Sequence, residues 1–326
     1  MALLRWGILG TAKIARDFVL TAIQTSRNGR IAALASRDAA RGAALCARYG
    51  IRHLLPDYDA LLASPAVDAV YIPLPTSMHA NWTRRALEAG KHVLCEKPIG
   101  MTVAEVEGLV EARDRCGRVA AEGFMVAHHP QWHDVRRWLQ EGAIGRLRMV
   151  EGCFTYHNVD PDNVRNRLEL GGGGVRDIGV YPVVTTRIAT GAEPVRVVAA
   201  IERDPHFGTD RFALCRFDFP DFELSFYVGT QLQRRQHMTF HGEHGWIRLD
   251  APFNPGVYDA ARVTLRRSSS PGDEVRIYPR DDQYRLMIEN FGDAADGVAP
   301  PAFPLESSLA NQRAIDMIFA SAEPSR

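Results

Sequence analysis

The sequence predicts an α/β protein of two domains: a doubly wound parallel sheet over residues 1–123, then an α+β domain with a mostly antiparallel sheet over residues 124–326. Three observations carry that reading. Between residues 4 and 123 short apolar runs of strand length alternate with helix-length segments, as when crossover helices join parallel strands. From about residue 148 strand-like runs instead follow one another across short turns. And 326 residues exceed what one small core organises.

Composition excludes several classes. Lys+Arg and Asp+Glu number 39 each, so the formal charge is zero, which argues against a broad polyanion-binding surface and against nucleic acid as a partner. No stretch approaches the roughly 18 apolar residues of a membrane span. Arg5 interrupts the apolar N-terminus, and no cleavage-type segment follows. The five cysteines, Cys46, Cys95, Cys116, Cys153 and Cys215, form no CxxC pair. Such usage suits small buried hydrophobes in a reducing compartment, and a cytoplasmic location is expected.

In the first domain a strand over residues 4–9 runs into Gly10-Thr11-Ala12-Lys13-Ile14-Ala15 and a helix to about Arg27. A helix N-terminus just after a strand is where a dinucleotide pyrophosphate is received. Here the glycine pattern is reduced to G-x-A-x-x-A. The second strand, Ile31 to Ala35, ends in Ser36-Arg37 in place of the acid that holds ribose hydroxyls in NAD sites. A hydroxyl and a guanidinium suit a 2′-phosphate, so NADP is expected over NAD; Asp38 is read as the cap of the next helix. The strand Val67 to Ile72 leads into Pro73-Leu74-Pro75-Thr76-Ser77, a stiff loop expected beside the cofactor, with His79 opening the following helix.

The strand VLCEKP, Val93 to Pro98, delivers Glu96 and Lys97 to the carboxyl edge of the sheet, where open α/β sheets bind ligands. Pro98 biases Lys97 towards an extended backbone, so the lysine leaves the sheet in a defined direction. Thr102 to Glu105 makes a capping box for a helix ending at Gly117, and a strand over Val119 to Gly123 closes the domain.

The second domain opens with a helix near Pro130 to Gln140. Strand-like runs follow at Arg148–Tyr156, Val195–Ile201, Phe212–Phe219, Glu223–Val228, Gln236–His241, Trp246–Leu249, Arg262–Arg266 and Glu274–Tyr278. One face of such a sheet is expected to cover the cofactor and the other a partner subunit. Helices near Gln283–Asp296 and Leu305–Phe319 end the chain, the last of them free to pack back on the first domain. Between the first two runs stands Gly171-Gly172-Gly173-Gly174-Val175-Arg176-Asp177-Ile178-Gly179-Val180-Tyr181-Pro182. The glycines let the backbone approach something closely, and no P-loop follows them. Asp177 and Tyr181 are four apart, so on a helix they share a face. The bland reading makes Asp177 a cap and Tyr181 a core aromatic.

Oxidising an alcohol needs a base for the hydroxyl proton, and a free tyrosine of pKa about 10 is too weak at neutral pH. A lysine ammonium about 4 Å away is worth up to about 4 kcal/mol at an effective dielectric of about 20, against the desolvation of a tyrosinate. Lys97 is the candidate for that charge. Other clusters point less clearly to chemistry. His237, His241 and His244 invite a metal reading, but His244 falls in a hairpin turn, and no metal is expected. His128, His129 and His133 flank Pro130 and Trp132, and one of them is a pocket candidate, as is His157. Tyr284 is read as core.

Together WGILGTAKIA, VDAVYIPLPTSMH, VLCEKP and GGGGVRDIGVYP resemble the family of glucose-fructose oxidoreductase, inositol dehydrogenase and dimeric dihydrodiol dehydrogenase over nearly the whole chain. The resemblance implies an N-terminal Rossmann domain, a C-terminal open-faced sheet that often forms the oligomer interface, and hydride transfer between NAD(P) and sugars or related alcohols. The family's motif lysine falls on Lys97 and its second motif on Asp177 and Tyr181. Many relatives carry histidine in place of Tyr181; the tyrosine form resembles the sugar-oxidising and dihydrodiol branches, and Ser36-Arg37 is similar to their NADP-preferring members. Asp160-Pro161-Asp162-Asn163-Val164-Arg165 also resembles the sugar-oxidising branch, which implies that Asn163 and Arg165 approach nicotinamide and substrate. Ala12 departs from the usual glycine.

The expectation is an NADP-dependent oxidation of an aldose to a lactone by a homodimer or homotetramer. Lys97 orients the substrate, Tyr181 takes the proton and Asp177 holds a neighbouring hydroxyl. Gly10 to Ile14, Ser36, Arg37, Pro73, Leu74, His79, Glu96, Lys97, Asn163 and Arg165 hold the cofactor, and His157 and Arg165 line the sugar. A dihydrodiol, dicarbonyl or keto-sugar reductase, an aldose-aldose hydride shuttle and a non-catalytic NADP sensor are the alternatives.

Overall fold

The computed structural model describes residues 3–279 and 281–324. The chain divides into two compact units, Met1–His128 with Asp282–Gln312, and His129–Asp281 with Arg313–Arg326.

The first unit holds six parallel strands: β1 (Leu4–Leu9), β2 (Gly29–Ala35), β3 (His53–Leu55), β4 (Ala69–Ile72), β5 (His92–Cys95) and β6 (Ala120–Glu122). Between them run α1 (Leu20–Thr25), α2 (Ala39–Tyr49), α3 (Tyr58–Ala63), α4 (Thr76–Glu88) and α5 (Val103–Cys116). Their spatial order, β3-β2-β1-β4-β5-β6, is that of the Rossmann fold, with the order reversing between β1 and β4. Strands buried on both faces read as continuous apolar runs: Trp6, Ile8 and Leu9 of β1 and Val70, Tyr71 and Ile72 of β4 are fully buried. Local signals end the helices as expected. The Asp38 carboxylate accepts from Arg41 N at 3.0 Å to start α2, and Thr102 Oγ1 accepts from Glu105 N at 3.3 Å to start α5. Gly50 and Gly117 stop them at φ +64° and +60°.

The second unit begins with α6 (Pro130–Gln140) and builds its sheet from β7 (Leu147–His157) onward. After α7 (Val180–Thr190) come β8 (Arg196–Arg203), β9 (Asp210–Asp218), β10 (Glu223–Gly229), β11 (Gln231–Gly242), β12 (Gly245–Leu249), β13 (Arg262–Arg267) and β14 (Glu274–Ile277). With β15 (Ala322–Pro324) they form one sheet in the order β14-β13-β12-β11-β7-β10-β9-β8-β15. Among the described residues only β7–β10 and β8–β15 pair in parallel in this sheet, so it is mostly antiparallel. Side chains alternate across it: β7 places Val150, Gly152, Phe154 and Tyr156 on one face and Glu151, Cys153, Thr155 and His157 on the other. Helix α7 packs against β7.

The division differs from 1–123 and 124–326 because helix α8 (Gln283–Ala295) belongs to the first unit. Its Phe291 ring lies 5.0 Å from Trp6 and its Tyr284 ring stacks 4.9 Å from Phe18, while Asn28 Nδ2 donates to Glu289 O at 2.8 Å. The apolar face of β1 and its helix is closed by Tyr284 and Phe291 from near the other end of the chain, which no local pattern announces. Helix α9 (Leu305–Ser321) follows, and Ala121 of β6 bridges to Pro304 just before it. Among the described residues no helix is long and apolar enough to cross a membrane.

Candidate active site

In the first unit the parallel register sets the carboxyl ends of β2, β1, β4 and β5 side by side. This aligns the Ser36-Arg37 pair, the Gly10 to Ile14 turn, Pro73-Leu74 and Glu96-Lys97 in one row. Gly10 makes the turn possible: its φ is +91°, a region that L side chains rarely adopt, and an added Cβ would come within 3.2 Å of Tyr58 Oη. Its amide donates to Ala35 O at 2.8 Å, tying the turn to the end of β2. Thr11 and Ala12 are half-buried and Lys13 is exposed, and a π-helical turn over Ala15–Val19 carries the chain into α1. Such turns are frequent at functional sites.

At the end of β2, Ser36 Oγ donates to Asp38 O at 2.7 Å and accepts from Asp38 N at 3.2 Å, and the residue is buried, so its hydroxyl shapes the turn. Arg37 is exposed and remains the cation of the pair.

Helix α4 starts at Thr76, and His79 is 1% exposed, with Nδ1 2.7 Å from Pro98 O and Nε2 2.6 Å from Leu74 O. The neutral ring donates to one of these two carbonyls at a time, and its place between them ties the Leu74 and Pro98 loops together. Burial holds its pKa below the usual imidazole value, against the pull of the two carbonyls.

Around Lys97 the chain is held at every neighbour. Glu96 N donates to Ile72 O at 3.0 Å, and the Tyr71 hydroxyl donates to Glu96 Oε1 at 2.6 Å. The Lys97–Pro98 peptide is cis, His79 meets the Pro98 carbonyl, and Ile99 N donates to Glu122 Oε1 at 2.9 Å. Burial pushes the Glu122 carboxyl up to about 7, opposed by the neighbouring Ser308 hydroxyl, the Ile99 amide and the charge of Lys97.

In the second unit the glycine run approaches the chain itself. A Cβ on Gly172 would sit 2.4 Å from Arg165 O, and one on Gly173, whose φ is +123°, would sit 2.0 Å from Asp210 Oδ1. The buried Asp210 accepts from Val175 N at 2.5 Å, and burial pushes its carboxyl up to about 6 against that bond. A π-helical turn over Val175–Gly179 then leads into α7, so Asp177 and Tyr181 are separated by a wider turn than α-helical spacing supplies. Both still meet the same face of β7. Asp177 Oδ2 accepts from the Tyr156 hydroxyl at 2.7 Å and from Arg165 Nε at 2.7 Å, while the Tyr181 ring lies 5.5 Å from Phe154 and 5.5 Å from Phe253.

Asp177 holds the Arg165 guanidinium well above its ordinary pKa, and burial and the same charge raise the Tyr156 phenol. Asn163 accepts from Arg165 N at 3.1 Å and caps a short turn over Val164–Asn166, which presents Arg165 to Asp177.

Strand alternation turns His157 to the opposite face of β7, exposed, and gives its expected place to Tyr156. The parity of the run ending in Tyr156 was the signal for that. Of the histidine cluster, His237 Nδ1 lies 3.1 Å from Cys153 Sγ, and His129 accepts from Gln131 N at 3.2 Å to cap α6. Among the described residues no three His, Cys, Asp or Glu side chains gather as metal ligands.

The chain matches the family model for the oxidoreductase family with an NAD-binding Rossmann fold over residues 4–124, and that for the GFO/IDH/MocA C-terminal domain over residues 132–248. It is 40% identical to an uncharacterised oxidoreductase of Rhizobium meliloti, over 99% of this chain and 98% of that one. It is 33% identical to a D-xylose 1-dehydrogenase (NADP+) of Haloferax volcanii, over 98% and 97%. The crystal structure of a 3-ketoreductase from Actinomadura kijaniata in complex with NADP and TDP-benzene is similar at a TM-score of 0.91 and 29% identity, covering 99% of this chain and 98% of that one.

Proposed function

Because the chain belongs to the GFO/IDH/MocA family of oxidoreductases, we propose that it moves hydride between NADP and a sugar, oxidising an aldose at its anomeric carbon to a lactone. The observation that carries the proposal is the cluster where β7 meets the π-helical turn and the start of α7: a buried tyrosine, Tyr181, stands with a carboxylate, Asp177, that is itself fixed by Arg165 and Tyr156. A phenol held by aromatic walls is a proton acceptor of defined direction. A carboxylate held by two donors on Oδ2 is a rigid acceptor for a sugar hydroxyl.

The first unit supports NADP by its residues. The Gly10 turn at φ +91° leads the strand into a helix start, and Arg37 stands exposed at the end of β2 where an NAD site would place an acid. NADP, when bound, accepts the hydride. The protein's own groups do the rest: Tyr181 takes the hydroxyl proton, Asp177 and Arg165 hold the neighbouring hydroxyls, and Lys97 presents its ammonium to the substrate. The NADP named for the Haloferax xylose dehydrogenase and the Actinomadura ketoreductase supports the same cofactor.

A second reading, reduction of a keto-sugar by NADPH, is favoured by likeness to the ketoreductase. Self-association through the open face of the second sheet is supported by Val198 and Leu214, which stand half-exposed on adjacent strands of it.

Absorbance of the reduced nicotinamide tests the readings together, with NADP or NAD and a panel of aldoses, and with NADPH and keto-sugars. Aldose oxidation with NADP is expected, and Tyr181→Phe is expected to lose about 10²- to 10⁴-fold in kcat, the range of acid–base catalysis. Consumption of NADPH by keto-sugars alone would replace the first reading by the second. Undiminished turnover in Tyr181→Phe would remove the assigned base.

A further inference from the structure

The residues that follow Lys97 are fixed from inside the first unit by a carboxyl that family likeness does not call on. Glu122 ends β6 at 3% exposure and spends Oε1 on the amide of Ile99, itself 1% exposed, two residues beyond Lys97. Both ends of that bond are buried. Its other oxygen, Oε2, makes no hydrogen bond among the described residues, although the Ser308 hydroxyl lies beside the carboxyl. Glu122 also lines a small cavity of about 10 Å³ with His128, Met287, Asn290 and Phe291, room for about one water.

A carboxyl at this depth is costly unless its bonds compensate. An apolar residue would close the end of β6 more cheaply, so the bond to Ile99 is the reason for a carboxyl here. The groups facing it are Lys97 and Glu96 from the β5 end, Ser308 from α9, His128 after β6 and Asn290 from α8.

We propose that Glu122 is a positioning residue for Lys97: by accepting the Ile99 amide it fixes the backbone from which the lysine projects. This rests on the reading of Lys97 as the residue that meets substrate.

The experiment pairs hydrogen–deuterium exchange of peptides spanning Ile99 with steady-state kinetics on the full chain, for Glu122→Ala and Glu122→Gln. Glutamine keeps an acceptor oxygen without charge; alanine removes it. Expected in Glu122→Ala are exchange at Ile99 faster by about tenfold or more and kcat lower by about tenfold or more, the scale of one buried hydrogen bond, with the sugar KM held within about threefold. Glu122→Gln is expected to restore both. Should the alanine variant not fold, Glu122→Asp, which withdraws the acceptor by one methylene, takes its place with the same readouts.

Unchanged exchange at Ile99, or faster exchange with unaltered kcat, would overturn the positioning role while leaving the sugar oxidoreductase standing. A wild-type protein that turns over no sugar with either cofactor would sink the reading of Lys97, and the positioning role with it, whatever the exchange data show.

Discussion

The segment carrying Lys97 and the segment carrying Asp177 and Tyr181 are held by the same kind of parts. In each, a buried carboxyl accepts one backbone amide two residues from the motif: Glu122 takes Ile99 N, and Asp210 takes Val175 N. In each, a tyrosine hydroxyl donates to the motif acid, Tyr71 to Glu96 and Tyr156 to Asp177. What differs is the room around the carboxyl. Glu122 borders a cavity, whereas Asp210 lies against Gly173 so closely that a Cβ would fall 2.0 Å from Oδ1. A strand end can be pinned through one bond and keep some slack. A helix start wrapped round a carboxylate keeps none.

Alanine at the glycines beside each motif gives the largest expected contrast. Gly173→Ala must displace the Asp210 carboxylate and hold φ +123° with a side chain, and is expected to cost about 3 kcal/mol or more. Gly100→Ala, beside the Lys97 segment, would meet Val106 Cγ2 at 2.9 Å, the end of a side chain that can shift, and is expected to cost about 1 kcal/mol. Denaturant unfolding of both variants measures the difference; equal losses would break the distinction between a tight and a slack hold.

The two carboxyls are next separated by pH. Both have folded-state pKa values raised by burial, Glu122 from 4.5 to about 7 and Asp210 from 3.8 to about 6. A raised carboxyl binds its proton more tightly when folded. Its stabilising contribution is therefore full below the unfolded value and is lost as pH rises through the folded one. Relative to the uncharged Glu122→Gln, the wild type should lose roughly 3 kcal/mol between pH 4.5 and 8, and relative to Asp210→Asn about as much between pH 4 and 7. Melting temperatures across pH 4 to 8 read this directly. Because the unfolded values differ, 4.5 against 3.8, equal burial shifts leave the windows offset; coincident windows would mean that burial raises Asp210 more than Glu122.

The parts of this arrangement that are local in sequence were legible. Apolar runs and caps located β1, β2, β4, β5 and β6 with α2 and α5, whereas the three-residue β3, largely exposed, offered no apolar run to read; residue type with spacing singled out Lys97, Asp177 and Tyr181 as candidates. Strand parity would have exchanged His157 for Tyr156. The remaining parts are long-range. Nothing near Gly173 says that its neighbour is Asp210, 37 positions on, and nothing near Leu4–Leu9 announces Phe291. His79 reads as a polar residue at a helix start, and only the fold shows its ring buried between the Leu74 and Pro98 carbonyls. The bonds between the Ser36 hydroxyl and Asp38 depend on the turn itself. The π-helical turn at Val175–Gly179 leaves no mark in hydrophobic periodicity.

The smallest contrast concerns the two tyrosines. Tyr71 is fully buried and its hydroxyl meets Glu96 at 2.6 Å, while Tyr156 is only partly buried and shares Asp177 Oδ2 with Arg165. Removing the Tyr156 hydroxyl leaves that oxygen with a charged donor still in place, so Tyr156→Phe is expected to cost about 1 kcal/mol. Removing the hydroxyl of the fully buried Tyr71 takes away its bond to a carboxylate, and Tyr71→Phe is expected to cost about 2 kcal/mol. Urea unfolding resolves a difference of that size when m is unchanged. Should Tyr156→Phe prove the more costly, Arg165 does not by itself hold Asp177. The second segment would then depend on its tyrosine as the first depends on Tyr71, and the contrast between the two would reduce to the space around Glu122 and Asp210.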